Sequence, residues 1–119
     1  MAQHNDFGKM AEEMAASYLE KHGYEILETN WRFKKAEIDI IARKDNTLAV
    51  VEVKARTSDR YGNPEAFVSK KKIRLLTEAA DAYVRQHDLD VEVRFDIISI
   101  LKNRYTEELE HIENAFYWF

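Results

Sequence analysis

KAEIDIIARKDNTLAVVEVKAR, residues 35–56, decides the fold. It reads as two β-rich runs, 36–43 and 48–56, around Lys44-Asp45-Asn46-Thr47, whose Asp-Asn core favours a turn. Alternate residues of a strand share a face. Glu37, Asp39, Ile41 and Arg43 therefore fall on one side of the first run. Leu48, Val50, Glu52, Lys54 and Arg56 fall on one side of the second. A hairpin closed in simple register sets Arg43 opposite Leu48, Ile41 opposite Val50 and Asp39 opposite Glu52. Directly opposed side chains have Cβ atoms roughly 4.5–5.5 Å apart. Two carboxylates that close, with Lys54 beside them, make a trap of cation size.

Like charges placed opposite each other destabilise a sheet, so the pairing needs a compensating interaction. The other face of both runs is apolar: Ala36, Ile38, Ile40 and Ala42, then Ala49, Val51, Val53 and Ala55. Ile41, Leu48 and Val50 make the charged face apolar as well at its loop end. The hairpin is thus expected to be buried on both sides, with its charges gathered at the end away from the turn. Three outcomes relieve the repulsion there. One carboxyl keeps its proton, Lys54 and nearby arginines pair with the charges, or a divalent cation binds.

The rest of the chain fits one ordinary domain, residues 1–119. With 45% hydrophobic and 34% charged residues it falls in the soluble globular class, outside the disordered one. The absence of cysteine excludes disulfides, thiolate metal sites and cysteine nucleophiles. No apolar run is long enough to span a bilayer, and the polar start MAQHNDFGKMAEE carries no signal peptide. No membrane role and a cytoplasmic location are expected. A formal net charge of −4 argues against a wholly basic nucleic-acid coat but leaves room for a local basic patch.

In chain order, Phe7, Met10, Ala11, Met14, Ala15, Tyr18 and Leu19 recur at helical spacing, which predicts an amphipathic helix over 7–21. Asn5 or Asp6 could cap it, and Gly23 ends it. Residues 24–33 read as a strand leading into the hairpin. The turn-rich loop 57–64 follows, with Tyr61 as a candidate base stacker. Ser69 caps a second helix that runs to about Gln86. Its first turns hold Lys70, Lys71, Lys72 and Arg74, each opposing the helix dipole by about 0.3–1 kcal/mol, which a bound anion would offset. Residues 91–101 form a further strand, and 102–108 a polar turn. The apolar end HIENAFYWF is expected to pack on the domain edge or on a partner, a second copy of the chain included. His4, His22, His87 and His111 form no spaced metal pair and read as surface or edge residues. Helix, strands, helix, strand predicts an α/β or α+β sandwich around a mixed sheet.

The run Glu37–Ala42, EIDIIA, followed by VEVKAR at 51–56, resembles the hairpin of the PD-(D/E)XK nuclease superfamily. Over nearly its full length the chain is similar to the largely uncharacterised YraN family. Gly8 with Ala11-Glu12 and Tyr18-Leu19, Gly23-Tyr24, Asn30-Trp31-Arg32, Gly62, Lys71 or Lys72, Arg94-Phe95-Asp96 and Asn114-Ala115-Phe116 carry that likeness. One departure is Ala36, where the family pattern has glycine before Glu37. The resemblance implies an α/β, restriction-endonuclease-like core with a mixed β-sheet flanked by helices, similar to archaeal Holliday-junction resolvases. In it, Asp39 and Glu52 match the metal-binding carboxylates, Lys54 the catalytic lysine, and Glu12 the acidic residue lent by the first helix.

The activity expected from these residues is metal-dependent hydrolysis of phosphodiester bonds in branched or otherwise structured DNA. Asp39 and Glu52 would hold Mg²⁺ or Mn²⁺, with the Val53 carbonyl as a further ligand and Glu12 acting directly or through water. Lys54 would orient the attacking water and stabilise developing negative charge. Arg56, Arg60, Lys70, Lys71, Lys72 and Arg74 are the expected phosphate contacts, independent of base sequence. The alternative is a non-catalytic nucleic-acid-binding module that keeps the fold and the basic patch. A protein-interaction or dimerisation domain, suggested by the apolar terminus, stands third.

Overall fold

The computed structural model describes residues 2–58 and 68–116, with side chains from Asp6 onward. Its elements are α1 (Ala2–Lys21), β1 (Glu25–Phe33), β2 (Ala36–Lys44), β3 (Thr47–Arg56), α2 (Lys70–Gln86), β4 (Glu92–Lys102) and β5 (Glu107–Ile112). The strands form one sheet in the order β1-β2-β3-β4-β5. β3 and β4 are parallel, joined through α2, and the other three pairings are antiparallel. This is a mixed α/β sheet flanked by two helices, as the sequence predicts, with a fifth strand added at its edge. Among the described residues no helix is long and apolar enough to cross a membrane.

Each helix covers one face of the sheet. Ala11, Ala15 and Leu19 of α1 pack on Ile40, Ala42, Ala49, Val51, Ile98 and Ile100. Leu76, Ala79, Ala80 and Tyr83 of α2 pack on Ile38, Ile41, Leu48, Val50 and Ile97. The small residues of α1 let its backbone lie close to the strands, and the β-branched runs beneath fill the space between layers. α1 begins at Ala2, so Asn5 and Asp6 lie inside the helix instead of capping it. Its end behaves as expected. Gly23 has φ +91°, the Tyr24 amide donates to the Leu19 carbonyl at 2.9 Å, and the Gly23 amide donates to Glu20 at 3.1 Å. That pair of bonds is a Schellman cap. Ser69 accepts the Lys72 amide at 3.1 Å and caps α2.

The β2–β3 hairpin takes the expected register: Arg43 pairs with Leu48 and Ile41 with Val50. The turn is tighter than the four-residue loop, because Lys44 and Thr47 also pair and Asp45 supplies the left-handed residue (φ 53°). Two expectations change. First, the β2–β3 ladder stops at Ile40–Val51, short of Asp39 and Glu52. Second, β2 does not alternate throughout. Ala36 and Ile38 pack on the α2 side together with Ile41, while Ile40 and Ala42 pack on the α1 side.

The step between these two halves is Asp39. Its neighbour across β1 is Asn30, flanked by the pairs Thr29–Ile40 and Trp31–Ile38, and Asn30 has φ 52°. A left-handed residue inside a strand interrupts the pleat, and paired neighbours must change face together. The polar end of the sheet also holds a fifth strand, where a polar turn over 102–108 and terminal packing from His111 onward are expected. β5, EELEHI, pairs with β4 from Lys102–Glu107 to Ile97–Ile112, and beyond it Phe116 stacks on Phe95 with ring centroids 5.3 Å apart.

Candidate functional site

Where β2 leaves β3, a side chain takes over from the ladder. Asp39 Oδ2 accepts the Val53 backbone amide at 2.8 Å, so the β3 amide next to the opening still has a partner. Glu52 precedes Val53 on β3 and points to the α2 side, in line with buried Leu48 and Val50. It is only 5% exposed. Burial raises the Asp39 pKa most, the Glu52 charge raises it further, and Glu12 adds to both. The Val53 amide and the Lys72 ammonium pull the other way, and the balance leaves the Asp39 carboxyl at about 7. The Glu52 charge thus acts on Asp39 across the parting strands, although the two are not partners in the ladder.

Two ammonium groups answer this negative charge. Lys72, from the first turn of α2, forms an ion pair with Glu52 Oε2. Lys54 Nζ lies 3.7 Å from the same oxygen, beyond hydrogen-bond reach. Glu12 of α1 stands on the other side and accepts a hydrogen bond from Asn30 Nδ2 at 3.2 Å. The opening in the sheet is thus approached by a carboxylate from one helix and an ammonium from the other. Both helices act on Asp39, Glu12 raising its pKa and Lys72 lowering it.

Among the described residues no group of three or more histidine, aspartate or glutamate side chains converges on one point. Asp39 and Glu52 are a pair of hard oxygen donors, with the Val53 carbonyl as neighbour. Mg²⁺ is commonly held by one or two carboxylates, with waters and substrate phosphate filling its octahedron. Asp39 and Glu52 are donors of the kind such a cation takes.

The expected phosphate contacts separate into three groups. Lys70, Lys71 and Arg74 are exposed on α2. Lys71 and Lys72, with Lys35, Ala36, Glu37, Ser69, Leu75 and Leu76, line a cleft of about 230 Å³ beside the helix start. Lys72 is the member engaged with Glu52. Arg56 lies on β3, with Nη2 3.5 Å from Ser99 Oγ. Arg60, Tyr61 and Gly62 lie outside the described residues. Trp31 packs edge-on against Tyr83 at 5.1 Å and lies against the core.

A second polar cluster escaped the sequence reading. Asp96, fully buried on β4, accepts from Arg94 Nε at 2.9 Å and Nη2 at 2.8 Å, and from the Asn114 amide at 3.2 Å. His111 Nε2 lies 2.8 Å from Asp96 Oδ2, and Arg94 also donates to the Tyr24 hydroxyl. Burial pushes the Asp96 pKa up, but the bonds from His111, Arg94 and Asn114 outweigh it and hold the carboxyl below its ordinary value. The same bond to Asp96 raises the Arg94 pKa. His111 is therefore a member of a buried network, its side chain 6% exposed, and not a plain surface residue. The available signal was a lone aspartate inside the apolar run RFDIISI.

A mixed five-stranded sheet between two helices, with paired carboxylates and lysines where two strands part, defines an α/β protein compatible with a restriction-endonuclease-like core. The model of the Uncharacterised protein family UPF0102 matches residues 11–100, and the chain belongs to that family, the YraN-like one. It is 55% identical over 119 residues to a UPF0102 protein of Flavobacterium psychrophilum, with all of both chains covered. It is 51% identical over 123 residues to one from Flavobacterium johnsoniae, again over the whole of both. A third, from Phocaeicola vulgatus, is 50% identical over 117 residues, 98% of this chain and 97% of the relative.

Proposed function

We propose that this protein is a metal-dependent nuclease that hydrolyses phosphodiester bonds in branched or otherwise structured DNA. The observation that carries this reading is the Asp39–Glu52 pair. Two carboxyl groups are held near each other at a break in the ladder, where burial and mutual repulsion bring Asp39 to about 7. A doubly charged cation would relieve that repulsion, and carboxyl groups with perturbed pKa values are common at functional sites.

Bound Mg²⁺ or Mn²⁺ would supply Lewis acidity toward a phosphoryl oxygen and make a bound water more acidic. The remaining work falls to the chain. Asp39 and Glu52 hold and orient the cation, with the Val53 carbonyl and Glu12 available directly or through water. The Val53 amide fixes the Asp39 carboxylate in one rotamer, so the other oxygen stays free for this task. Lys54 orients the attacking water and counters negative charge that builds on the phosphoryl oxygens. Arg56, Lys70, Lys71 and Arg74 carry the neighbouring phosphates, and Lys72 bridges the two regions. Among the described residues no base-reading device accompanies them, which suits recognition by strand geometry.

Incubating the pure protein with branched, flapped and single-stranded DNA in Mg²⁺ or Mn²⁺ tests this reading. Cleavage should require the metal, vanish in Asp39→Asn and fall about a hundredfold in Lys54→Ala. Equal cleavage by both variants would defeat it.

One observation favours a second reading, a non-catalytic nucleic-acid-binding module. Lys72 already neutralises Glu52, so the site is satisfied without a metal. DNA binding that falls steeply with salt, with no turnover in either metal, would decide for it.

A further inference from the structure

Glu52 is buried and must have a counter-charge. Its near neighbour Lys54 lies 3.7 Å away, too far for a hydrogen bond. The close partner is Lys72, which comes from a different element, 20 residues further along the chain. The Lys72 side chain is 39% exposed, so its ammonium has an open path away from Glu52. The cleft of about 230 Å³ next to it is lined by Lys72 itself and by Glu37, an alternative carboxylate. Lys72 can therefore leave Glu52 by side-chain rotation alone, while its backbone stays anchored by the Ser69 cap.

We infer that Lys72 is a built-in competitor for the cation site: its ammonium holds Glu52 when no metal is present, and swings into the cleft when a divalent cation loads. This rests on the nuclease reading only in taking Asp39 and Glu52 as the cation ligands. The exchange follows from charge and coordination. An ammonium offers one positive charge and hydrogen bonds to a single carboxylate, whereas a divalent cation serves both carboxylates at once. Once displaced, Lys72 joins Lys35 and Lys71 in the cleft, where the three form a cationic wall for the phosphate next to the cleaved bond. The site then presents its full positive charge to DNA only when metal is bound. Glu52 meanwhile stays compensated in the empty protein, and the fold does not depend on the cation.

Calorimetric titration of the full chain with Ca²⁺, which supports binding without relying on turnover, tests this directly. Lys72→Gln should bind Ca²⁺ about tenfold more tightly than the unaltered protein, equal to about 1.4 kcal/mol. It should also melt at a lower temperature without metal and gain more from adding it. Lys71→Gln, which removes a charge from the same cleft without touching Glu52, should change affinity by less than about twofold. Lys72→Arg keeps the charge and the fold and should bind Ca²⁺ no more tightly than the unaltered protein. Tight binding that is the same with and without Lys72, or equal gains from Lys71→Gln and Lys72→Gln, overturns the competitor role and leaves the metal site standing. No binding by any of the four proteins overturns both.

Discussion

Asp39 reaches across the point where β2 leaves β3 and accepts the Val53 amide at 2.8 Å. One carboxylate thus serves two purposes. It replaces the missing backbone partner of β3, and it is held facing Glu52 at an electrostatic cost. The cost is visible in its pKa, raised from 3.8 to about 7, first by burial and then by Glu52.

That cost sets a pH dependence. Between about pH 4 and 7 the folded chain retains a proton that the unfolded chain has released. The stability contributed by the protonated group is complete below the ordinary carboxylate value and is lost as pH rises through about 7. Asp39→Asn stays neutral and can still accept the Val53 amide. In chelator it should exceed the unaltered protein in stability by about 2 kcal/mol at pH 8, and match it at pH 4, at 1.36 kcal/mol per pKa unit with partial relaxation. Urea titrations at the two pH values check this, and an equal gain at both would contradict it.

The Arg94–Asp96–His111 network has the opposite sign. Asp96 has a lowered pKa, so its contribution is present above the ordinary carboxylate value and is lost as pH falls through the folded-state value. Asp96→Asn leaves the Arg94 guanidinium, 19% exposed, without its main partner. Breaking a buried pair in this way should cost about 3 kcal/mol at pH 7. The gap between the two proteins should narrow on acidification. Denaturant midpoints measured from pH 7 down to pH 3 report both effects.

Lys54 should separate chemistry from binding. Its ammonium lies 3.7 Å from Glu52, close enough to feel the carboxylate but beyond a hydrogen bond, so it can reach a water or phosphate. Lys54→Ala should lower the cleavage rate by about a hundredfold, the size of a lost proton-transfer or charge-stabilising group. Cation affinity, read by calorimetry, should not weaken. A variant that loses metal binding along with activity would make Lys54 a structural support.

Much of this arrangement is legible in the chain itself. The Asp45-Asn46 turn with its flanking alternation fixes the hairpin register, and Ser69 marks the start of α2. The irregular step at Asn30 and Asp39 is not legible, because strict alternation is the only rule a strand pattern offers, and it fails where a left-handed residue breaks the pleat. β5 is hidden for another reason. Its glutamates line an exposed edge, where charge protects against pairing with other chains and erases the apolar signature of a strand. The Lys72–Glu52 pair depends on how α2 crosses from β3 to β4, and no local spacing encodes that. The paired carboxylates were readable; the cation already standing beside them was not.

Metal-dependent cleavage requires Asp39 and Glu52 to share one divalent ion. Anomalous diffraction from crystals soaked in Mn²⁺ tests this most directly. A single peak about 2 Å from an oxygen of each carboxylate, with Lys72 moved off Glu52, is the predicted result. A Mn²⁺-soaked crystal with no peak there, and Lys72 still paired with Glu52, would contradict it.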